Sequence, residues 1–250
     1  MTTVAEIFRY PVKGLSPERL ASVDVQPGTG MPHDREYAIA HASAQFDPME
    51  PKFLPKTNFL QLMQHERLAT LQTRFDPDEG VLTILRGGRQ LARGNLTQPI
   101  GRSLIEQFLS AYMKDDLHGA PRLVTAPGHS FTDCGRTWLS LINLESVRDI
   151  ERVARRPVNP MRFRGNVYLA DLPPWQEFDW IDREVSLGPV RVKIVGRIDR
   201  CGATNVDPET AERDMQIPKT LQAGFGHVDC GVYAEVLAGG TLAEGDAVVA

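Results

Sequence analysis

The chain has 250 residues, of which 42% are hydrophobic and 24% charged, and its formal charge is −4. That length permits one large domain or two small ones sharing an interface, and roughly 70–75% of the unfolded surface can be buried without help from a disulfide or a structural metal. The composition excludes a disordered chain, and the mildly acidic balance excludes a general attraction to nucleic acid or anionic lipid.

Three cysteines, Cys134, Cys201 and Cys230, stand far apart in sequence. An odd count without pairing spacing points to a reducing compartment rather than a disulfide framework. The opening Met-Thr-Thr-Val-Ala-Glu-Ile lacks the basic and apolar regions of a signal peptide, and no run of about 18 apolar residues occurs. A soluble, cytoplasmic protein without membrane or nucleic-acid partners is expected.

In chain order, residues 4–10 read as an extended run closed by Pro11. Residues 20–25 alternate up to the turn Pro27-Gly28-Thr29-Gly30, and residues 36–40 form a third strand. Residues 47–60, rich in Pro, Lys and Asn, mark a surface loop. Residues 68–75 and 81–85 flank Asp76-Pro77-Asp78-Glu79-Gly80, which predicts a hairpin. Helical spacing first appears at Leu104, Ile105, Phe108, Leu109 and Tyr112, with Gly119 and Pro121 beyond. A second helix is predicted over 144–155, capped by Asn143, with Leu144, Val147, Ile150 and Val153 or Ala154 inward, and stopped by Pro157. Strands return at 166–170, at 184–187 and 190–198 across Gly188-Pro189, and at 228–237, which Gly239-Gly240 turns toward Val248-Val249. Many short strands and two or three helices make this a mainly β (α+β), barrel-like protein.

Cys201 follows a predicted strand and precedes Gly202 in a cationic stretch: Arg191, Lys193, Arg197 and Arg200 against Asp199. Positive charge stabilises a thiolate, the form that attacks electrophiles and binds soft metals, and glycine leaves room for a bulky group to approach. The plain alternative is an inert cysteine at a strand end, which is also the reading for Cys230. Ala203-Thr204-Asn205-Val206-Asp207-Pro208-Glu209-Thr210 then carries turn chemistry.

Five arginines lie between residues 151 and 164. Arg152, Arg155 and Arg156 read as complements to a helix C-terminus. Arg164 and Asn166, past the helix, could offer a guanidinium fork and an amide to a phosphate. Near the amino end, Lys13 beside Gly14 is a usable anion site, and Arg35 beside Asp34 reads equally well as an ion pair. The phosphate-loop, dinucleotide, HExxH and GxSxG patterns are absent, and the six histidines show no zinc spacing.

Taken together, five segments resemble the MOSC family, most closely its two-part members of the amidoxime-reducing and YcbX type. Ile7-Phe8-Arg9-Tyr10-Pro11-Val12-Lys13-Gly14 resembles the family's opening strand, and His33-Asp34-Arg35-Glu36-Tyr37 its DR-aromatic segment. Phe163-Arg164-Gly165-Asn166-Val167 resembles its FRxN strand. The most specific match, Arg200-Cys201-Gly202-Ala203-Thr204-Asn205-Val206-Asp207-Pro208-Glu209-Thr210, resembles its cysteine motif, and 225–248 its closing strands.

The resemblance implies a MOSC N-terminal β-barrel region over 1–118 packed with a MOSC β-barrel domain over 119–250. It implies molybdenum cofactor (Mo-molybdopterin) with Cys201 as protein ligand to the metal, and cofactor contacts from Lys13, Arg35, Arg164 and Asn166. Asp199 and Arg200 would line the approach. The implied activity is reduction of N-hydroxylated or similar small N–O substrates by oxygen removal. With no cluster or flavin fingerprint in the chain, electrons would come from an external reductase or ferredoxin-like partner. The alternative from the same family is a molybdenum-cofactor or sulfur carrier using a Cys201 persulfide without turnover. This chain departs from the family motif in three places: Ala211 replaces a glycine, Asp199 replaces a small hydroxyl residue, and Gly14 follows Lys13 in place of a hydroxyl residue.

Overall fold

A computed structural model describes residues 1–250. The first half of the chain carries β1 (Thr3–Arg9), β2 (Glu18–Leu20), β3 (Ser22–Val25), β4 (Ala38–Ala40), β5 (Gln72–Asp76), β6 (Val81–Arg86), β7 (Arg89–Asn95) and helix α1 (Pro99–Tyr112). The second half carries β8 (Arg122–Val124), β9 (Leu139–Asn143), α2 (Leu144–Ala154), β10 (Val167–Ala170), β11 (Glu184–Leu187) and β12 (Val190–Asp199). It ends with α3 (Ile217–Phe225), β13 (Asp229–Ala238), β14 (Gly240–Ala243) and β15 (Val248–Val249).

A large curled sheet organises the molecule, in the order β15-β11-β12-β13-β9-β10-β1-β2. All its pairings are antiparallel except β9 with β10, which run parallel because α2 carries the chain back between them. Alternation along β12 places Val190, Val192 and Ile194 inward, and these pack with Val4, Ile7, Leu141, Val167 and Val232 in the main core. A three-stranded sheet, β5-β6-β7, and α1 enclose a second core around Leu82, Ile84, Ile105 and Leu109. The mainly β architecture expected from the sequence, with two or three helices, is therefore present, and the helices number three.

The two regions are interleaved rather than laid end to end. β1 pairs with β10, β3 with β14, and β4 with β8, so the first forty residues complete sheets whose other strands lie beyond residue 120. This interleaving brings Lys13 and Arg35 of the amino end next to residues of the 130s and 160s.

The capping of α2 follows the sequence: the Asn143 side chain accepts from the Glu145 amide at 3.0 Å, and Arg155 ends the helix in the left-handed region. Helix α1 starts earlier than its apolar spacing suggests. Pro99 begins it with a preset φ, and Leu104 is 49% exposed, so the inward stripe is Ile105 and Leu109. Residues 66–70 form a 3-10 turn instead of the first part of a strand. Helix α3 has no counterpart in the apolar pattern, although Pro218 near its start and Gly226 at its left-handed end are the usual boundary signals.

His65, which opens that 3-10 turn, is 8% exposed, and neither ring nitrogen has a hydrogen-bond partner. The His41 ring lies 5.4 Å away. Burial, aided by His41 and Arg213 and opposed by Asp116 and Glu66, lowers the His65 pKa below its ordinary value. The unfolded chain therefore takes up the proton first. Stability is full above about pH 6.5 and falls as the pH drops through that value. Replacing His65 with Met is expected to stabilise the fold by about 1 kcal/mol at neutral pH, since it removes two orphaned polar atoms. It should also flatten the acid limb of a melting-temperature profile. An unchanged slope below pH 6.5 would refute this assignment.

Candidate functional site

Where the two regions meet, a cavity of about 280 Å³ opens between the amino-terminal loops and the ends of β12 and β13. Its wall holds Lys13, Arg35, Lys56, Arg162, Arg164 and Arg200 against only Asp133 and Asp199. Six cations to two acids in an acidic chain make this cavity electropositive. All seven residues singled out from the sequence, Lys13, Arg35, Arg164, Asn166, Asp199, Arg200 and Cys201, line it.

Cys201 leaves β12 in an extended conformation, half-buried, immediately before a 3-10 turn over Gly202–Asn205. The turn is fixed by the Thr204 amide and hydroxyl, which donate to the Cys201 carbonyl at 3.1 and 2.8 Å. Behind it lies Arg162, whose side chain is 1% exposed and whose guanidinium reaches Asp207 and Asp214 at 2.7 Å each. The same group donates to the carbonyls of Asn205 at 3.1 Å and Thr204 at 3.4 Å. Asp207 also accepts from the Glu209 and Thr210 amides, the turn chemistry expected of Asp-Pro. Arg213 adds a strap to the amino-terminal region, gripping the Leu62 and Met63 carbonyls and the Glu66 carboxylate.

Arg35 and Arg164 share one aromatic ring: their guanidinium carbons lie 4.6 and 4.3 Å from the Tyr10 centroid. Both residues adopt positive φ, 52° and 51°, a conformation that side chains other than glycine rarely hold. Arg35 is pinned by Asp34 and by the Arg164 carbonyl. Arg164 donates from one Nη to the Leu15 carbonyl at 2.8 Å, which leaves the rest of its fork for another acceptor. Two guanidiniums held this close repel one another, and an anion between them would relieve the repulsion.

Lys13 is buried, and its ammonium donates to the Phe131 carbonyl at 2.8 Å and to Asp133. Burial lowers the Lys13 pKa while Asp133 opposes the fall. Burial raises that of Asp133, but Lys13, Lys56 and Arg35 outweigh it and leave the carboxyl below its usual range. Gly14 takes φ +85°, and a Cβ there would stand 2.5 Å from the Leu60 carbonyl. The close approach of residues 60–61 therefore requires glycine at this position.

Two of the seven residues spend their polar groups inside the protein. The Asn166 carbonyl oxygen accepts from the Ser140 amide at 3.1 Å and hydroxyl at 2.8 Å, while its NH2 donates to Phe8. Asn166 braces β9 against β1. Arg200 directs Nε to the Cys230 carbonyl at 2.8 Å and Nη1 to the Phe163 carbonyl at 2.9 Å, with Nη2 also on Cys230. It fixes the strand end that carries Cys201.

The sequence reading missed Lys56 and Asp133. Lys56 lies in the segment read as a surface loop, yet it lines the cavity with Cys201, and its ammonium is 3.8 Å from Asp133 Oδ2. Burial lowers its pKa, but Cys201, Asp133 and Asp199 together raise it overall. Nothing local in a Pro-rich loop announces such a role. Cys230 is fully buried, and burial pushes its thiol up to about 12, in keeping with the inert reading. Arg152, Arg155 and Arg156 are exposed, with Arg152 on Asp149 and Arg156 on Asp214.

Comparison with known proteins agrees with this architecture. The family model of the MOSC domain matches residues 115–249, and that of the MOSC N-terminal beta barrel domain matches residues 1–116. The chain belongs to the MOSC family, as a two-part member of it. The molybdenum cofactor sulfurase of Anopheles gambiae is 37% identical over 73 residues, 29% of this chain and 9% of that protein. The molybdenum cofactor sulfurase of Danio rerio is 29% identical over 92 residues, 36% of this chain and 10% of that protein. The match thus spans about a tenth of these relatives. Among solved structures, the YUAD protein of Bacillus subtilis aligns over 99% of this chain and 94% of its own, at 12% identity and a TM-score of 0.46. YiiM from Geobacillus stearothermophilus aligns over 44% and 52%, at 20% identity and a TM-score of 0.36.

Two substitutions test the geometry of the cysteine loop. Arg162→Met strands two carboxylates against a buried wall and is expected to cost about 3–5 kcal/mol in urea unfolding; a loss below 1 kcal/mol would contradict the buried-pair assignment. Ala211 sits at φ +63°, where the family motif has glycine. Ala211→Gly should leave the fold intact and stabilise it by up to about 1 kcal/mol, because the strain removed exceeds the added chain entropy. A marked fall in melting temperature would argue against strain there.

Proposed function

We propose that this chain binds molybdenum cofactor and acts as a molybdenum-dependent oxidoreductase on N-hydroxylated or similar N–O compounds, with Cys201 as ligand to the metal. The observation that carries this reading is a half-buried thiol, fixed at a strand end, in a cavity walled by six cationic side chains. The donor set fits the group: a thiolate is a soft ligand, and the unspent fork of Arg164 beside Arg35 and Lys13 suits a phosphorylated pterin. A cavity near 300 Å³ is at the low end for small-molecule sites.

When bound, the metal centre supplies removal of oxygen from the substrate N–O bond, with two electrons from a separate reductase or ferredoxin-like protein. The chain's residues bind and orient. Lys13, Arg35 and Arg164 would hold the cofactor's anionic end, with Asn166 bracing the wall behind them. Arg200 fixes the backbone on which Cys201 stands, and the Arg162 network keeps the following loop from swinging over the thiol. Asp199 and Lys56 would place a carboxylate and an ammonium on the thiol side of the cavity. A negative charge at Asp199 favours substrates that are neutral or cationic near the reacting group.

A second reading, a cofactor or sulfur carrier with a Cys201 persulfide, is favoured by the sulfurases among the relatives. Molybdenum and pterin analysis of purified protein, paired with reduction of a hydroxylamine-type substrate by a chemical electron donor, separates the two. Cys201→Ala is expected to lose bound molybdenum and to reduce turnover at least a hundredfold. Unchanged metal content and activity in that variant would end the ligand assignment, and persulfide on Cys201 without bound pterin would favour the carrier.

A further inference from the structure

Beside the cavity, one buried side chain has polar atoms that nothing in the fold claims. His65 is 8% exposed, and both of its ring nitrogens lack partners, a state that native proteins seldom hold without a reason. Its backbone is occupied: the amide donates to the Gln61 carbonyl at 3.0 Å, and the carbonyl accepts from the Leu68 amide at 3.1 Å. The carboxylate of the next residue, Glu66, accepts from Arg213 of the cysteine loop, at 2.9 Å from Nη2 and 3.2 Å from Nε. The same guanidinium donates to the Leu62 carbonyl at 3.0 Å and the Met63 carbonyl at 2.8 Å. Its Nη1 reaches the carbonyl of Gly202, the neighbour of Cys201, at 3.4 Å. Arg213 thus clamps two parts of the cavity wall together, with Gln61 and Leu62 on one side and Cys201, Ala203 and Thr204 on the other.

We propose that His65 and the Arg213 clamp form an acid-sensitive latch on the cavity wall: when His65 takes up a proton, residues 61–66 part from the cysteine loop. The groups that face the ring are His41, whose ring lies 5.4 Å away and which has His118 near it, Asp116 beyond α1, and Glu66 and Arg213. Protonation makes both ring nitrogens donors, and neither has an acceptor where the ring is held. It also adds a cation beside His41 and Arg213. The imidazolium has two outlets. It leaves for water, which pulls on Glu66 and on the 3-10 turn that His65 opens, or it takes the Glu66 carboxylate, which Arg213 then loses. Both act on the clamp. The Glu66–Arg213 pair is 45% and 35% exposed, a weak bond that a competing charge displaces. Burial and His41 hold the His65 pKa below its ordinary value, so the latch is shut at neutral pH and opens in acid. The stability lost at low pH is then lost first at one wall of the cavity rather than across the whole fold. Neither His65 nor Arg213 is a candidate ligand to the cofactor, so the latch operates whichever ligand the cavity takes.

Hydrogen exchange of the full-length chain, read by mass spectrometry at about pH 7.5 and about pH 5.5 and corrected for intrinsic rates, tests the latch. Peptides covering residues 60–70 and 201–216 are expected to exchange together, about tenfold faster at the lower pH, while those of β6 and β9 keep their protection. In His65→Met both segments should stay protected at both pH values. In Arg213→Met, residues 201–216 should exchange fast at both, with no further response to acid. Should His65→Met fold poorly, the wild-type pH series and Arg213→Met decide the matter alone. Full protection of both segments at the lower pH overturns the latch. So does loss of protection in β6 and β9 at the same midpoint, which is unfolding of the whole chain. An acid response of residues 201–216 that survives in His65→Met or in Arg213→Met overturns it as well.

Discussion

The buried guanidinium of Arg162 is the constraint on which the site depends. A 1%-exposed cation between two carboxylates, with two further carbonyls on the same group, is costly to assemble and more costly to break. Its partners all lie in the segment from Thr204 to Asp214, so its effect is to convert a connection between β12 and α3 into a rigid platform. Cys201 is at one end of that platform. At the other, the Asn205 side chain accepts from the first amide of α3 at 2.8 Å, which ties the helix start to the same turn. One Nε hydrogen of Arg162 remains without a partner. Even incompletely satisfied, the network anchors the segment that follows Cys201 at Asp207, at Asp214 and at the start of α3.

The second constraint is the interleaving of the two regions. A cavity lined by residues 13, 35, 56, 133, 164 and 201 can exist only if the amino-terminal strand is part of the carboxy-terminal sheet. β1 delivers Tyr10 and Lys13 past the end of β10. The left-handed residues Arg35 and Arg164 then turn their chains so that both guanidiniums meet the Tyr10 ring. Strain at two cations on a shared ring is hard to explain as a packing solution, because a folding protein gains more from separating like charges. It is readily explained if an anionic ligand completes the site, since binding to the native state alone then stabilises the fold.

Much of this was legible in the sequence, for identifiable reasons. β12 alternates between apolar and charged residues, β13 is long and apolar, α2 has a capping asparagine and a regular stripe, and Cys201 sits in a motif whose turn residues behave as their chemistry dictates. What escaped did so because its signal is tertiary. β9 is buried on both faces and shows no alternation, β7 is mostly exposed and polar, and α3 is only nine residues long. Lys56 belongs to a Pro-rich loop, and its importance comes from where the loop is folded back. Asn166 was expected to contact the cofactor and Arg200 to line the approach to the metal, yet the fold spends their polar groups on Ser140, Phe8, Cys230 and Phe163. A residue's donors can be counted from sequence; which acceptors claim them cannot.

The three departures from the family motif divide along the same line. Gly14 is a backbone matter, since Leu60 passes too close for any Cβ. Ala211 is a tolerated strain, borne because the Asp207 turn and the Arg162 pair over-determine the loop around it. Asp199 differs from both. It is exposed, lies across from Asp229 in the β12–β13 ladder, and carries no structural bond that would require a carboxylate. Its charge is felt instead by Lys56, beside the thiol. Of the three departures, Asp199 is thus the one that no contact within the fold calls for, and the neighbour on which its charge acts is Lys56 of the cavity wall.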